Sequence, residues 1–263
     1  MRTPFKTLLA AFVAVSMVAF AGCGKDGSNS STYNGGISSG NGNGIVNPIP
    51  HPTPGPSPNP QPTINWVDLG LPSGLLWAEC NVGATVPEEY GDYFAWGETT
   101  TKSTYSWSTY RYCTTDGEGN LSTLTKYNTS STYGTTDTLT TLLPGDDAAT
   151  ARLGGGARTP TYDEWSELLN NTTAEWTTLN GVNGRRFTST TNGNSIFLPA
   201  AGWRSGSELD YAGGVGYYWS SSLDSGSPSY ARRFGFGSGA QDMYYGSDRY
   251  NGLGVRAVRA NQN

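Results

Sequence analysis

The chain has 263 residues, of which 36 are Gly and 15 are Pro; 14% are charged and 12% aromatic. Charged residues run at about half their usual quarter of a globular sequence, which argues against a coiled coil or a long helical bundle. The formal net charge of −5 opposes a DNA or RNA partner, because phosphate binding needs clustered Lys and Arg.

The first 22 residues read as an export signal. Arg2 and Lys6 precede the apolar run from Leu8 to Phe20, which is too short to span a bilayer comfortably. Ala21-Gly22-Cys23 follows. This small pair before a Cys resembles a bacterial lipobox, with Phe20 where an aliphatic residue is usual. The resemblance implies cleavage before Cys23, acylation of that Cys and attachment to the membrane through buried methylenes, about 0.8 kcal/mol each. The alternative is cleavage elsewhere, leaving Cys23 as a free thiol. Gly24 is not the Asp of an inner-membrane retention signal, and Lys25-Asp26 partly resembles the export tag of surface lipoproteins in Bacteroidota. The expected location is therefore the outer membrane, lipid-anchored and surface-exposed.

Residues 23–63 read as a linker. The stretch 24–47 is mostly Gly, Ser and Asn, and has almost nothing to bury, which predicts flexibility. From Pro48 to Pro62 every second residue is Pro, which predicts an extended polyproline stalk reaching roughly 45 Å at about 3.1 Å per residue. A spacer lifting a domain off a membrane and a linker of no required length both fit. The single histidine, His51, sits in this stalk without carboxylate or Cys neighbours, so a ligand or catalytic role is not expected for it.

The working domain is placed at 64–260. Asn65–Leu69, Leu75–Val82 and Asp92–Trp96 read as extended. A short helix is expected near Asp146–Leu153, where Ala148, Ala149 and Ala151 favour it. Thr161 and Glu164 form a capping box, and Trp165, Leu168 and Leu169 then fall on one stripe, so a helix opens at Thr161 and stops at Asn170-Asn171. Glu175–Leu179 and Arg186–Thr190 read as strands around turns at Asn180-Gly181 and Asn183-Gly184. A turn at Asn192-Gly193 precedes a strand over Ser195–Pro199. Tyr217–Ser221, Ala231–Phe236 and Gly254–Val258 complete the set. The class is α+β, with many short antiparallel strands and few helices.

Several motifs recur in order across 66–259: Val67-Asp68-Leu69-Gly70-Leu71-Pro72-Ser73-Gly74, Leu76-Trp77-Ala78-Glu79-Cys80-Asn81-Val82-Gly83-Ala84, Tyr90-Gly91-Asp92-Tyr93-Phe94-Ala95-Trp96-Gly97-Glu98, Arg158-Thr159-Pro160-Thr161, Ile196-Phe197-Leu198-Pro199-Ala200-Ala201-Gly202, Gly216-Tyr217-Tyr218-Trp219-Ser220-Ser221-Ser222 and Val255-Arg256-Ala257-Val258-Arg259. Together they resemble the Fibrobacter succinogenes major paralogous domain, common in surface lipoproteins of gut Bacteroidota. That family is similar to the formylglycine-generating-enzyme branch of the C-type lectin fold, so the resemblance implies a C-type lectin-like domain. Arg158, Pro160, Thr161, Glu164 and Trp165 match a pattern that opens a helix in both. The chain departs from many relatives at Gly155-Gly156-Ala157-Arg158, where they have Gly-Gly-Ser-Trp-Arg.

The chemistry of the enzyme branch does not carry over. Its oxidative members need a reactive Cys pair late in the chain, and no Cys follows Cys113; its iron-dependent members need a His cluster, and the domain has no His. Zinc and haem sites lack their usual ligands, and a nucleophilic Ser has no His partner. No catalytic residue, cofactor or metal is expected. The sugar-binding loop motifs of calcium-dependent lectins are also missing. Asp146-Asp147 and Asp116 with Glu118 could supply oxygen ligands or simply be solvated loops. Cys80 and Cys113 are expected to form a disulfide in an oxidising compartment; the alternative is two buried thiols. Asp137-Thr138-Leu139 resembles an O-glycosylation site of exported Bacteroidota proteins.

The stretch from Trp203 to Asn251 mixes Tyr, Trp, Arg, Ser, Asp and Gly as binding loops do, since Tyr supplies contact area at low entropy cost. Trp203, Arg204, Tyr218, Tyr230, Arg233, Tyr244, Tyr245, Asp248, Tyr250 and Asn251 are the candidate ligand contacts. In Tyr230–Phe236, alternation puts Phe234 and Phe236 on a core face and turns Arg233 outward beside Ala231 and Gly235. The expected function is non-catalytic binding of a glycan or protein at the cell surface. Alternatives are a structural or pilus-associated component, a protein diversified in this stretch by a reverse-transcriptase system, and an enzyme of unknown chemistry.

Overall fold

The structure, a computed structural model, describes residues 64–243 and 245–261. The leader, Cys23, the stalk with His51, and Tyr244 lie outside the described residues. The chain opens with a hairpin of β1 (Trp66–Asp68) and β2 (Leu75–Asn81), then runs irregularly to a second hairpin, β3 (Cys113–Thr115) and β4 (Leu121–Leu124). Two helices follow, α1 (Ala148–Leu153) and α2 (Tyr162–Asn170). A meander of β5 (Thr172–Leu179), β6 (Val182–Ser189) and β7 (Ser195–Pro199) leads to a small hairpin, β8 (Trp203–Ser205) and β9 (Glu208–Asp210). The long pair β10 (Val215–Leu223) and β11 (Tyr230–Gly237) comes next, and β11 also pairs with β12 (Gln241–Asp242) and β13 (Gly246–Asp248). The last strand, β14 (Arg256–Ala260), returns to β2 in the order β1-β2-β14. Every strand ladder is antiparallel. The domain is α+β, with many short antiparallel strands and few helices.

Local chemistry accounts for the element boundaries. The Asp147 carboxylate accepts from the amides of Ala149 and Thr150 and so starts α1, and Gly154 at φ +60 ends it. The capping box of α2 is complete: Thr161 Oγ1 accepts from the Glu164 amide at 3.2 Å and the Glu164 carboxylate from the Thr161 amide at 2.8 Å. Arg158 grips the same carboxylate through two nitrogens. Asn180 and Gly181 both have positive φ, the two-residue turn that a twisted hairpin needs.

Two sequence expectations fail here for tertiary reasons. Asn183-Gly184 is no turn but lies inside β6, where Gly184 pairs with Thr177 and Pro199. A Cβ at Gly184 would strike the Leu198 carbonyl and the Phe197 ring, so glycine serves close packing there. Asp92–Trp96 makes only a bridge from Phe94 to Leu253; Tyr93–Trp96 are buried as irregular backbone.

The β10–β11 pair lies between two apolar clusters. Tyr218, Phe234 and Phe236 pack with Trp77, Trp165 and Phe187, while Trp219, Leu223 and Ala231 pack with Phe94, Trp96, Tyr105, Tyr110 and Tyr127. Buried indoles need an acceptor, and three find one across the layers: Trp96 donates to Ser220 O, Trp165 to Trp219 O, and Trp219 to Phe94 O. Two arginines are fully buried. Arg256 donates to Asn81 Oδ1 and to the Ala78, Glu79 and Phe197 carbonyls, tying β14 to β2 and β7. Arg249 is held the same way by neutral acceptors.

Candidate binding surface

The β8–β9 hairpin and the turn after it present an aromatic ladder. Trp203 lies between Tyr211 and Tyr217, with ring centroids 4.9 and 4.8 Å away and planes within 15° and 18° of parallel. Arg233 continues the ladder, its guanidinium 3.7 Å from the Tyr217 ring centre, and faces Asp242 at 3.6 Å. One end of the ladder is thus the buried Arg233 guanidinium beside a part-exposed Asp242 carboxylate. The other end, Tyr211, is 63% exposed. The backbone of Tyr211 is also unusual, at φ +54, a left-handed conformation that costs a bulky residue about 1–3 kcal/mol. Two amides, of Gly214 and Val215, donate to its carbonyl, and a side chain on Gly202 would strike the neighbouring Asp210 carbonyl. Hydrogen bonds and close packing therefore fix the turn against that strain, and the stack on Trp203 leaves the outer ring face in solvent.

A second aromatic group forms where β13 crosses β11. Tyr230 pairs with Asp248 and is 41% exposed, and Tyr245 is 67% exposed. Tyr250 is half-buried and meets the edge of Trp107 at 5.0 Å. Burial pushes the Asp248 carboxyl above its usual range, against a hydrogen bond from Tyr250. The Asp248 charge in turn raises the Tyr230 hydroxyl, with burial adding to it. Asn251 is half-buried, and its Oδ1 has no hydrogen-bond partner. Arg204 lies over the Tyr93 ring at 5.2 Å.

Three sequence-based assignments need correction. Tyr218 is fully buried; its hydroxyl donates to Pro199 O and accepts from Asn81 Nδ2, so it is a core residue. Arg233 does not look outward: it is 6% exposed, because its guanidinium runs across Gly235 and lies against the Tyr217 ring of the neighbouring strand. Phe234 and Phe236 do share a core face. Cys80 and Cys113 are free thiols, not a disulfide. Cys113 Sγ donates to Trp107 O and lies near Tyr110 O, whereas Cys80 is buried in β2 within the sheet that Arg256 closes.

Asp116, Asp146 and Asp147 are engaged by the fold itself. Asp116 accepts from the Glu118 and Asn120 amides and shapes the β3–β4 turn, Asp147 caps α1, and Asp146 accepts from Lys126, Tyr112 and Tyr127. Among the described residues no group of three or more His, Cys, Asp or Glu is placed to hold a metal ion.

Tyr211 is the residue that sequence reasoning missed. Its signal is weak: a Tyr before Ala212-Gly213-Gly214, in a turn whose glycine sits two residues later than the strained position. Compared with family models, curated proteins and solved structures, the chain matches none.

Proposed function

We propose that the protein is a non-catalytic, lipid-anchored surface protein that binds a glycan or protein ligand through the Tyr211–Trp203–Tyr217 ladder and its surroundings. In this reading the domain is a C-type lectin-like major paralogous domain, carried by the leader, Cys23 and the Pro-rich stalk to the outside of an outer membrane. The α+β arrangement of short antiparallel strands is compatible with that fold. The observation that carries the functional reading is Tyr211: a ring exposed on one face, already stacked on the other, on a strained and rigid turn. Backbone strain is kept where something other than stability gains from it. A pre-stacked ring loses little freedom when a sugar ring or an apolar side chain covers its outer face, so more of the contact energy appears as affinity. Tyr230, Tyr245 and Tyr250 supply a second patch of the composition found in binding loops.

The test is a screen of immobilised glycans and proteins with the full-length protein and its Tyr211→Ala variant, each with and without EDTA. The reading expects hits that survive EDTA and weaken about tenfold or more in the variant. Hits abolished by EDTA, or unchanged in the variant, would contradict it.

A further inference from the structure

We propose that the cleft beside Arg204 is a carboxylate subsite that takes the single acidic sugar of a glycan; this rests on the surface-binding reading above. The cleft has a volume of about 430 Å³ and is walled by Asp92, Tyr93, Thr101, Lys102, Ser103 and Arg204. That is within the size range of small-ligand pockets.

Its charges are unequally committed. Lys102 Nζ is 2.8 Å from Glu98 and donates to Thr109 O. Asp92 is 2.8 Å from Arg152. Among the described residues Arg204 makes no ion pair, and its one side-chain hydrogen bond is a long one, 3.5 Å, from Nη1 to Ser207 O. A guanidinium offers five N–H donors in a planar fork, so most of this fork is uncommitted. With the two ion pairs cancelling, the cleft carries one net positive charge.

The Arg204 fork is also positioned in advance. Arg204 shares two backbone hydrogen bonds with Gly252, and Tyr105 shares two with Gly206. The Tyr93 ring beneath it is fixed by a 2.6 Å hydrogen bond from its hydroxyl to Ala201 O, and Tyr105 in turn donates to Tyr93 O. One free fork and one net charge match a monoanionic carboxylate, which a guanidinium binds through two parallel hydrogen bonds. A dianionic phosphate would face Asp92 and Glu98 without a second free cation. The hydroxyls of Thr101 and Ser103 suit a polyhydroxylated ligand better than an apolar peptide side chain. The overall charge of −5 disfavours a densely anionic polymer, so the acidic sugar should be sparse or terminal.

The experiment is titration calorimetry of the full-length protein with sialyllactose against lactose, and with a glucuronate-ended trisaccharide against its carboxyl-reduced form. Wild type, Arg204→Ala, Arg204→Lys and Tyr211→Ala are compared, with circular dichroism as the fold control. The proposal expects at least one acidic ligand to bind about ten- to hundredfold tighter than its neutral partner. That preference should vanish in Arg204→Ala, survive in part in Arg204→Lys, and shrink as salt is raised. Which acidic ligand shows it identifies the source, sialyl or uronate. Equal affinity for acidic and neutral ligands, or a preference that a folded Arg204→Ala keeps, overturns the subsite while leaving binding at Tyr211 intact. No affinity for any of the four glycans also overturns it; protein hits that depend on Tyr211 in the screen above would then leave the wider reading standing.

Discussion

Replacing Arg249 by Met should destabilise the domain by about 3–5 kcal/mol, the loss of its charged hydrogen bonds less the relief from burying a cation. The side chain is fully buried. Its Nε donates to Tyr110 Oη at 2.8 Å, its Nη1 to Tyr127 O at 3.2 Å and Pro228 O at 3.0 Å, and its Nη2 to Lys126 O at 3.0 Å. The guanidinium also lies 5.0 Å from the Trp96 ring centre. Four hydrogen bonds from a charged donor, at roughly 1.5–3 kcal/mol each, represent a gross loss of about 6–12 kcal/mol. Relief from burying a cation returns several of these, which leaves the net figure. Such a change is a large share of the 5–15 kcal/mol typical of a domain. Arg249→Lys should fall between, because one ammonium cannot reach acceptors on three segments. The assay is urea unfolding followed by tryptophan fluorescence, with the midpoint falling at constant slope. A Met variant within about 1 kcal/mol of wild type would instead show that an apolar side chain of similar volume packs there as well. Arg249 lies between Asp248 and Tyr250, so the same variant should loosen the second aromatic patch.

Stability should also depend on pH at both extremes. Burial alone would raise the Asp146 carboxyl, but hydrogen bonds from Lys126, Tyr112 and Tyr127 outweigh it and hold the group below its usual range. Its contribution is therefore complete above about pH 4, the unfolded value, and is lost as pH falls through the lower folded one; Asp146→Asn should flatten the acid limb of a urea-midpoint profile. Burial pushes Tyr112 and Tyr218 up to about 12, so their contribution is complete below about pH 10 and lost as pH rises through 12, and their ionisation should appear late in an absorbance titration. For the cysteines, alkylation in denaturant without reductant, read by mass spectrometry, should label both Cys80 and Cys113; absence of label on the pair would restore the disulfide. In the native state both should react slowly, since burial raises both thiols and leaves little thiolate.

Much of the framework was legible where one residue type has one physical job. Thr161 with Glu164 placed the start of α2, Asn180-Gly181 placed the β5–β6 turn, and Phe234 with Phe236 placed the core face of β11. What stayed hidden depends on a second layer. Alternation along β11 separates Arg233 from the phenylalanines correctly, but strand periodicity does not show that the Tyr217 ring of the neighbouring strand covers the other face. Tyr218 fails for the same reason, since both faces of β10 meet apolar clusters. The short β8–β9 hairpin has too few residues for a period, and a tyrosine held at positive φ has no sequence signature. Arg204 was singled out by composition; that its neighbours are paired and it is not is a property of the folded charges alone.

The most direct measurement is the affinity of the tightest ligand from the screen for wild type, Tyr211→Phe and Tyr211→Ala in the presence of EDTA. Phe keeps the ring, the stack on Trp203 and the exposed face, so its affinity should stay within a few-fold of wild type. Ala removes the platform and should cost about tenfold or more. If the Ala variant, folded and as stable as wild type, binds as tightly as the parent, the ladder is not the binding surface.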